Sequence, residues 1–204
     1  MREGALHISL LGDSSWRLPG HAPVQLSPKD AALIAKLAID GPQARAAVCE
    51  LLWPESSAKQ AETSLRQRAS RLSRATGCRI IEVGAQVRLS DDVSVDALTI
   101  ENCDDSVLLR TGPLLAGHDL GDSNELDRWL VGARERVTGV IVKALTDRAE
   151  RLESAGRLRD ALPLATRAVE LSPLSEHGWR RLIRLHYLRD DLAAARDCCW
   201  RLTA

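Results

Sequence analysis

The sequence has no phenylalanine, one tyrosine and one methionine, and its 3% aromatic share rests on five tryptophans. A core must therefore be built from leucine, isoleucine, valine and alanine. No run of about 18 apolar residues occurs, which speaks against a membrane span. The start, Met1-Arg2-Glu3-Gly4, lacks the charged-then-apolar pattern of a signal peptide. Cys49, Cys78, Cys103, Cys198 and Cys199 form an odd set without a CxxC, so neither a disulfide framework nor a structural zinc site is expected. A reducing, cytoplasmic setting is the simple reading. There is no GxxxxGK[ST], GxGxxG, HExxH or GxSxG, and the five histidines are scattered without metal spacing. The doublets Asp91-Asp92, Asp104-Asp105 and Asp190-Asp191 sit beside turn-like sequence and read as solvated loop residues. Neither an enzyme nor a cofactor is expected. Net charge is also lacking, at +0 from 28 cations and 28 anions. With 45% hydrophobic residues, the chain has enough apolar material to fold.

What is present is organised in two halves. Residues 7–11, 15–18 and 23–26 are short strand-like runs, with Gly12-Asp13-Ser14 as a turn between the first two. Ser27 is an N-cap candidate, and Pro28 suits the first position of a helix that Asp40-Gly41-Pro42 stops. A second helix is expected over 44–52, and Trp53-Pro54 ends it. After the polar segment 55–60, a third helix is expected over 61–76, stopped by Gly77. Gly84-Ala85 then separates two strand-like runs within 79–90, as in a two-residue type II′ hairpin. The order is a small antiparallel N-terminal sheet, three helices and a hairpin. That is a winged helix-turn-helix with an extra N-terminal sheet.

On the third helix, Ala61, Leu65, Ala69 and Leu72 share one face. The opposite face carries Thr63, Gln67, Ser70 and Arg74, flanked by Ser64, Arg66 and Arg71. A helix with four arginines is usually only a solvated face. Two features favour DNA instead. From Lys59 to Arg79 there are six cations and one anion, Glu62. The outward side chains are also of the kinds that reach phosphates and base edges. Base contacts are expected from Ser64, Gln67, Arg68 and Arg71, and phosphate contacts from Lys59, Arg66, Arg74 and Arg88. Thr63, Ser70 and Gln86 complete the candidate surface. Arg68 lies nearer the buried side, so pairing with an acid is its other reading.

The second half opens with an acidic stretch, Asp91 to Asp127, holding ten acids and one base. A short helix over 96–100 is expected within it. Asn124 is a candidate cap for a long helix that Ala155-Gly156 ends. Three further helices are expected over 158–171, 176–189 and from 192 onward. At a spacing of 34 residues Leu145 aligns with Trp179, Leu152 with His186, Gly156 with Asp190 and Leu158 with Leu192. Ala161 aligns with Ala195, Ala165 with Cys199 and Ala168 with Leu202. With Pro173 closing the first unit, this spacing reads as tetratricopeptide-like repeats, against ordinary helical hairpins of similar length. The second unit stops before its own closing proline. That leaves apolar surface, through truncation of a longer chain or for dimerisation. The expected domains are 1–95 and 96–204.

Several strings carry a family resemblance. Leu52-Trp53-Pro54, followed by Ser64-Leu65-Arg66-Gln67-Arg68-Ala69-Ser70-Arg71-Leu72, resembles a stretch of the SARP/AfsR antibiotic-regulatory activators. Leu10-Leu11-Gly12 and Val24-Gln25-Leu26-Ser27 are similar to that family too. Gly112-Pro113-Leu114-Leu115, Trp129-Leu130 with Arg134, and Leu171-Ser172-Pro173-Leu174-Ser175-Glu176 resemble its bacterial transcriptional activator domain.

The resemblance implies an OmpR/PhoB-type winged helix followed by a tetratricopeptide-like domain, in a cytoplasmic transcription activator. It implies binding to direct repeats of promoter DNA, often as a head-to-tail homodimer, and contact with RNA polymerase. By carry-over, helix 61–76 enters the major groove and the hairpin near Gly84–Gln86 is the wing. The polymerase contact falls on Glu55, Ser56, Ser57 and Ala58, in the loop 55–60. Ser64, Arg68 and Ser73 depart from the family pattern and alter the expected base preference. Phosphorylation control is not indicated. The rival reading is an interaction protein, in which the helical repeat binds a partner and the winged helix is only a scaffold.

Overall fold

The computed structural model describes residues 6–118 and 124–203. Three short strands open the chain: β1 (Leu6–Ser9), β2 (Ser15–Arg17) and β3 (Val24–Gln25). Leu6, Ile8 and Leu10 alternate into the core, as period-two packing requires. β1 pairs antiparallel with β2, and β2 with β3. The sheet is nevertheless mixed. A fourth strand, β7 (Val93–Val95), lies parallel to β1, giving the order β3-β2-β1-β7. The antiparallel expectation is corrected here. Val93-Ser94-Val95 is only three residues long inside the acidic stretch, and its pairing partner lies more than 80 residues back.

Helix α1 (Pro28–Asp40) begins as expected. Ser27 Oγ accepts from Asp30 N, and Pro28 fills the first turn. Its face is almost wholly alanine, leucine and isoleucine, buried from Ala31 to Ala35. Then comes β4 (Gln43–Ala44), a two-residue strand the sequence does not announce, followed by α2 (Arg45–Leu52). Helix α3 (Ala58–Thr76) starts one turn earlier than expected. The cause is a capping box: Ser57 Oγ accepts from Gln60 N while Gln60 Oε1 accepts from Ser57 N. Gly77, at φ 69°, ends α3 in the left-handed conformation. β5 (Ile81–Val83) and β6 (Gln86–Leu89) form the hairpin, and β4 pairs on the far side of β6.

The hairpin turn differs from a type II′ two-residue turn. The register pairs Val83 with Val87, leaving residues 84–86 as the connection. Gly84 does not take a positive φ. The reason is that β6 is shared. Ala44 pairs with Gln86, and Arg45 N donates to Ala85 O, so the far side of the turn is fixed by β4.

The chain forms two compact units, each drawn from two segments. One holds Met1–Thr99 and Gly112–Glu135; the other holds Ile100–Thr111 and Arg136–Ala204. In the first, Asp96 ties a 3-10 turn to β1 by accepting from Leu10 N and Leu11 N at 2.9 and 3.1 Å. Burial pushes its carboxyl above the usual range, and these amide donors oppose the rise. Residues 112–116 return to β1, where Leu115 N donates to Leu10 O and Gly12 N to Pro113 O. A Cβ at Gly112 would stand 2.9 Å from the Gly12 Cα, so only glycine permits that approach. Arg134 donates to the carbonyls of Leu114 and Leu115. These contacts join the Gly112–Leu115 string to β1 and to Arg134.

The second unit is helical. It contains α4 (Asp105–Leu108), the later part of α5 (Asn124–Ser154), α6 (Leu158–Leu171), α7 (Glu176–Leu188) and α8 (Leu192–Thr203). The expected cap at Asn124 concerns a side chain outside the described set. The 34-residue spacing is realised in the backbone. Gly156 and Asp190 both take positive φ, at 72° and 58°. Arg157 N donates to Leu152 O and, 34 residues on, Asp191 N donates to His186 O, at 2.8 and 3.0 Å. Gly156 N to Glu153 O likewise matches Asp190 N to Tyr187 O. Both helix ends therefore close with the same left-handed cap. Ala161 and Ala195, also 34 apart, are both buried.

Candidate nucleic-acid interface

Helix α3 is amphipathic along its whole length. Ala61, Leu65, Ala69 and Leu72 are buried, and α3 packs on α2 and β5. Its apolar stripe is fixed by that packing, so the opposite face must look outward. Lys59, Thr63, Arg66, Gln67, Ser70, Arg71 and Arg74 are exposed, while Ser64 is half-buried. Thr63 Oγ1 donates back to Lys59 O at 2.9 Å, and the hydroxyl oxygen keeps its capacity to accept. Among the described residues, no hydrogen bond or ion pair engages the side chains of Gln67, Ser70 or Arg74.

The cations of this helix fall into two groups. Glu62, its one acid, turns to a flank, 3.2 Å from Arg45 and 3.7 Å from Arg66. On the other flank, Arg68 and Arg71 converge on Asp30, in the first turn of α1. Arg68 donates to Asp30 Oδ1 at 2.9 Å and to Ser27 Oγ at 3.2 Å, and stacks 6.0 Å from the Trp53 ring. Arg71 donates to Asp30 Oδ2. The Ser27 hydroxyl donates to that same carboxylate at 2.6 Å. Of the two readings of Arg68, pairing with an acid is the one observed. Its guanidinium is engaged by Asp30 and Ser27, with the side chain 23% exposed against 56% for Arg71. Asp30 itself went unmarked in the sequence, where Ser27-Pro28-Lys29-Asp30 read only as a helix start.

In the hairpin, Gln86 is exposed at the turn. Arg88 faces Glu82 directly across the strands and donates to it from Nε and Nη2 at 2.8 and 2.7 Å. A phosphate must compete with that carboxylate. In the segment before α3, Glu55, Ser56, Ser57 and Ala58 are all exposed. Ser57 doubles as the helix cap, and Ala58 already belongs to α3, so the loop is shorter than 55–60.

Among the described residues, no group of three or more His, Cys, Asp or Glu is placed to hold a metal. Burial pushes the thiols of Cys49 and Cys198 up, toward the inert neutral form. Cys198 is buried and Cys199 exposed, as a helical pair should be. Asp105 of the acidic doublets is more than a solvated residue, since it accepts from buried Arg148 at 2.9 Å. Among the described residues, no helix is long and apolar enough to cross a membrane.

Residues 84–197 match the family described as the bacterial transcriptional activator domain. The fold is similar to the solved structure of Mycobacterium tuberculosis EmbR in complex with low affinity phosphopeptide. The TM-score is 0.67 at 23% identity, over 98% of this chain and 59% of that one. The chain thus spans well under two thirds of the structure it matches. No curated protein gives a significant match.

Proposed function

The chain belongs to the bacterial transcriptional activator domain family, the SARP-type regulators its motifs resemble, and on that premise we propose that it is a sequence-specific DNA-binding transcription activator of the cytoplasm. In this reading α1 to α3 with β4 to β6 are a winged helix-turn-helix, α3 enters the major groove, and the β5–β6 hairpin is the wing. Helices α6 to α8 are tetratricopeptide-like. Gln67, Ser70 and Arg71, with Ser64 and Thr63 beside them, face base edges. Lys59, Arg66 and Arg74, with Arg88 and Gln86 on the wing, face phosphates. Exposed Glu55–Ala58 is the site for RNA polymerase, and promoter direct repeats are bound by head-to-tail copies.

The observation that carries this reading is the outward face of α3. It is cationic and hydrogen-bonding, free of apolar residues, and backed by a helix whose other face is locked in the core. A salt titration of binding to duplex DNA tests it. If about five phosphates are neutralised, log K falls against log salt with a slope of about −4 to −5. A flat response overturns the reading. One observation favours the rival interaction-module reading: Tyr187, Leu192 and Trp200 of the second unit are 64%, 62% and 70% exposed. That rival predicts no DNA binding by the chain and robust capture of a protein partner.

A further inference from the structure

We propose that Asp30 is a positioning residue for base readout: its buried carboxylate holds Arg71 at the edge of α3 in a fixed orientation that reads a guanine. This rests on the DNA-binding reading above and deepens it.

Asp30 is 3% exposed. A carboxylate so buried is costly unless paired and hydrogen-bonded. Arg68 already meets that need. It is held by Asp30, by Ser27 and by the Trp53 ring, with its side chain 23% exposed. Neutralising the carboxylate takes one cation, yet a second is present. Arg71 reaches the same carboxylate with its side chain 56% exposed. It is thus tied at one nitrogen and open on the rest of its fork.

The chemistry of that arrangement is specific. A free surface arginine carries substantial rotamer entropy, much of which binding must remove. A guanidinium pinned at Nη2 has lost that freedom before DNA arrives. Its planar fork keeps further N–H donors, and paired donors in one plane match the O6 and N7 acceptors of guanine in the major groove. The same carboxylate lowers the net positive charge of this flank, which weakens attraction to phosphates. The pair therefore gives up some sequence-independent grip and gains discrimination. Arg74, one turn further along α3 and paired with no acid among the described residues, is suited to the opposite task.

The test uses the full chain and two probes. A random duplex pool gives the preferred sequence of the wild type. Affinity is then measured for that duplex and for a scrambled one. Because Asp30→Asn alone leaves two arginines around a neutral amide, the decisive pair is Arg68→Met against Asp30→Asn with Arg68→Met. We expect Arg68→Met to keep the wild-type preference. The double variant should lose about tenfold of the preference for a G·C pair at one position. Its affinity for the scrambled duplex should stay level or rise. Arg71→Ala should lose the preference at that same position, and adding it to the double variant should cost nothing more. Arg71→Lys, which alters no buried group, should also lose it, because lysine keeps the charge without the fork.

A carboxylate with only a structural role would lower the active fraction for both duplexes alike. An unchanged ratio in the double variant therefore overturns the inference, as does a lysine that retains the full preference. If Arg71→Ala weakens both duplexes equally, Arg71 is on a phosphate; the inference falls and the DNA reading stands. A wild type that selects no sequence removes the DNA reading and the inference with it.

Discussion

A few arginines of the second unit and the outward arginines of α3 are used in opposite ways. Arg148 is buried and satisfied internally, donating to Asp105 and to the carbonyls of Ile100 and Glu101. Arg181 and Arg184 converge on Glu153, and Arg181 also meets Glu150. There the cations meet acids and carbonyls and work as staples. On α3, two arginines share Asp30, Arg66 has only a distant Glu62, and Arg74 stands on the open face. The lesson concerns the net charge of zero. Balance over the chain says nothing about partners when some arginines are consumed inside the fold and others are displayed on one face.

The comparison breaks most visibly at Arg148. Substituting methionine removes the donor to the Ile100 and Glu101 carbonyls, while half-exposed Asp105 is resolvated. We expect a loss of about 2–3 kcal/mol in unfolding free energy, read from the denaturant midpoint. A loss below about 0.5 kcal/mol would show that this arginine is not a staple. Arg181 sharpens the same contrast at lower magnitude. Among the described residues its buried Nε meets no hydrogen-bond partner, and Glu153 keeps Arg184 if Arg181 is replaced. Arg181→Met should therefore cost under about 1 kcal/mol, since an apolar substitute for a poorly satisfied buried ion is often near neutral. Thermal melts of the two variants side by side give the ranking.

Much of the second unit is legible in the sequence because its ends are punctuated locally. Gly156 and Pro173 mark turns, and the expected helix 158–171 matches α6 in both bounds. Asp190 in the left-handed cap is readable only through its 34-residue counterpart. The first unit is less legible where its elements exist by virtue of distant partners. β4 and β7 are two and three residues long, too short for any periodic signal, and are strands only because β6 and β1 pair with them. Asp30 was hidden for a related reason. Its local role beside Ser27 accounts for its presence, and its other partners lie 38 and 41 residues away. The outward face of α3, by contrast, follows from helical phase alone. Leu65 and Leu72 fix the buried side, and Gln67, Ser70 and Arg74 are then obliged to face away.

The finest test of the contrast asks whether an exposed arginine of α3 stabilises the fold at all. Arg74 lies in the last turn of the helix, where a cation interacts favourably with the dipole, an effect worth about 0.3–1 kcal/mol at low salt. Arg74→Ala should thus leave the melting transition nearly unchanged at physiological salt, where that interaction is screened. Its effect should appear on DNA instead. Removal of one phosphate contact lowers the magnitude of the log K against log salt slope by about 1, uniformly across sequences. Parallel salt titrations of wild type and Arg74→Ala on selected and scrambled duplexes measure both. A marked fall in stability with an unchanged slope would make Arg74 a staple like Arg148 and erase the difference between the two regions.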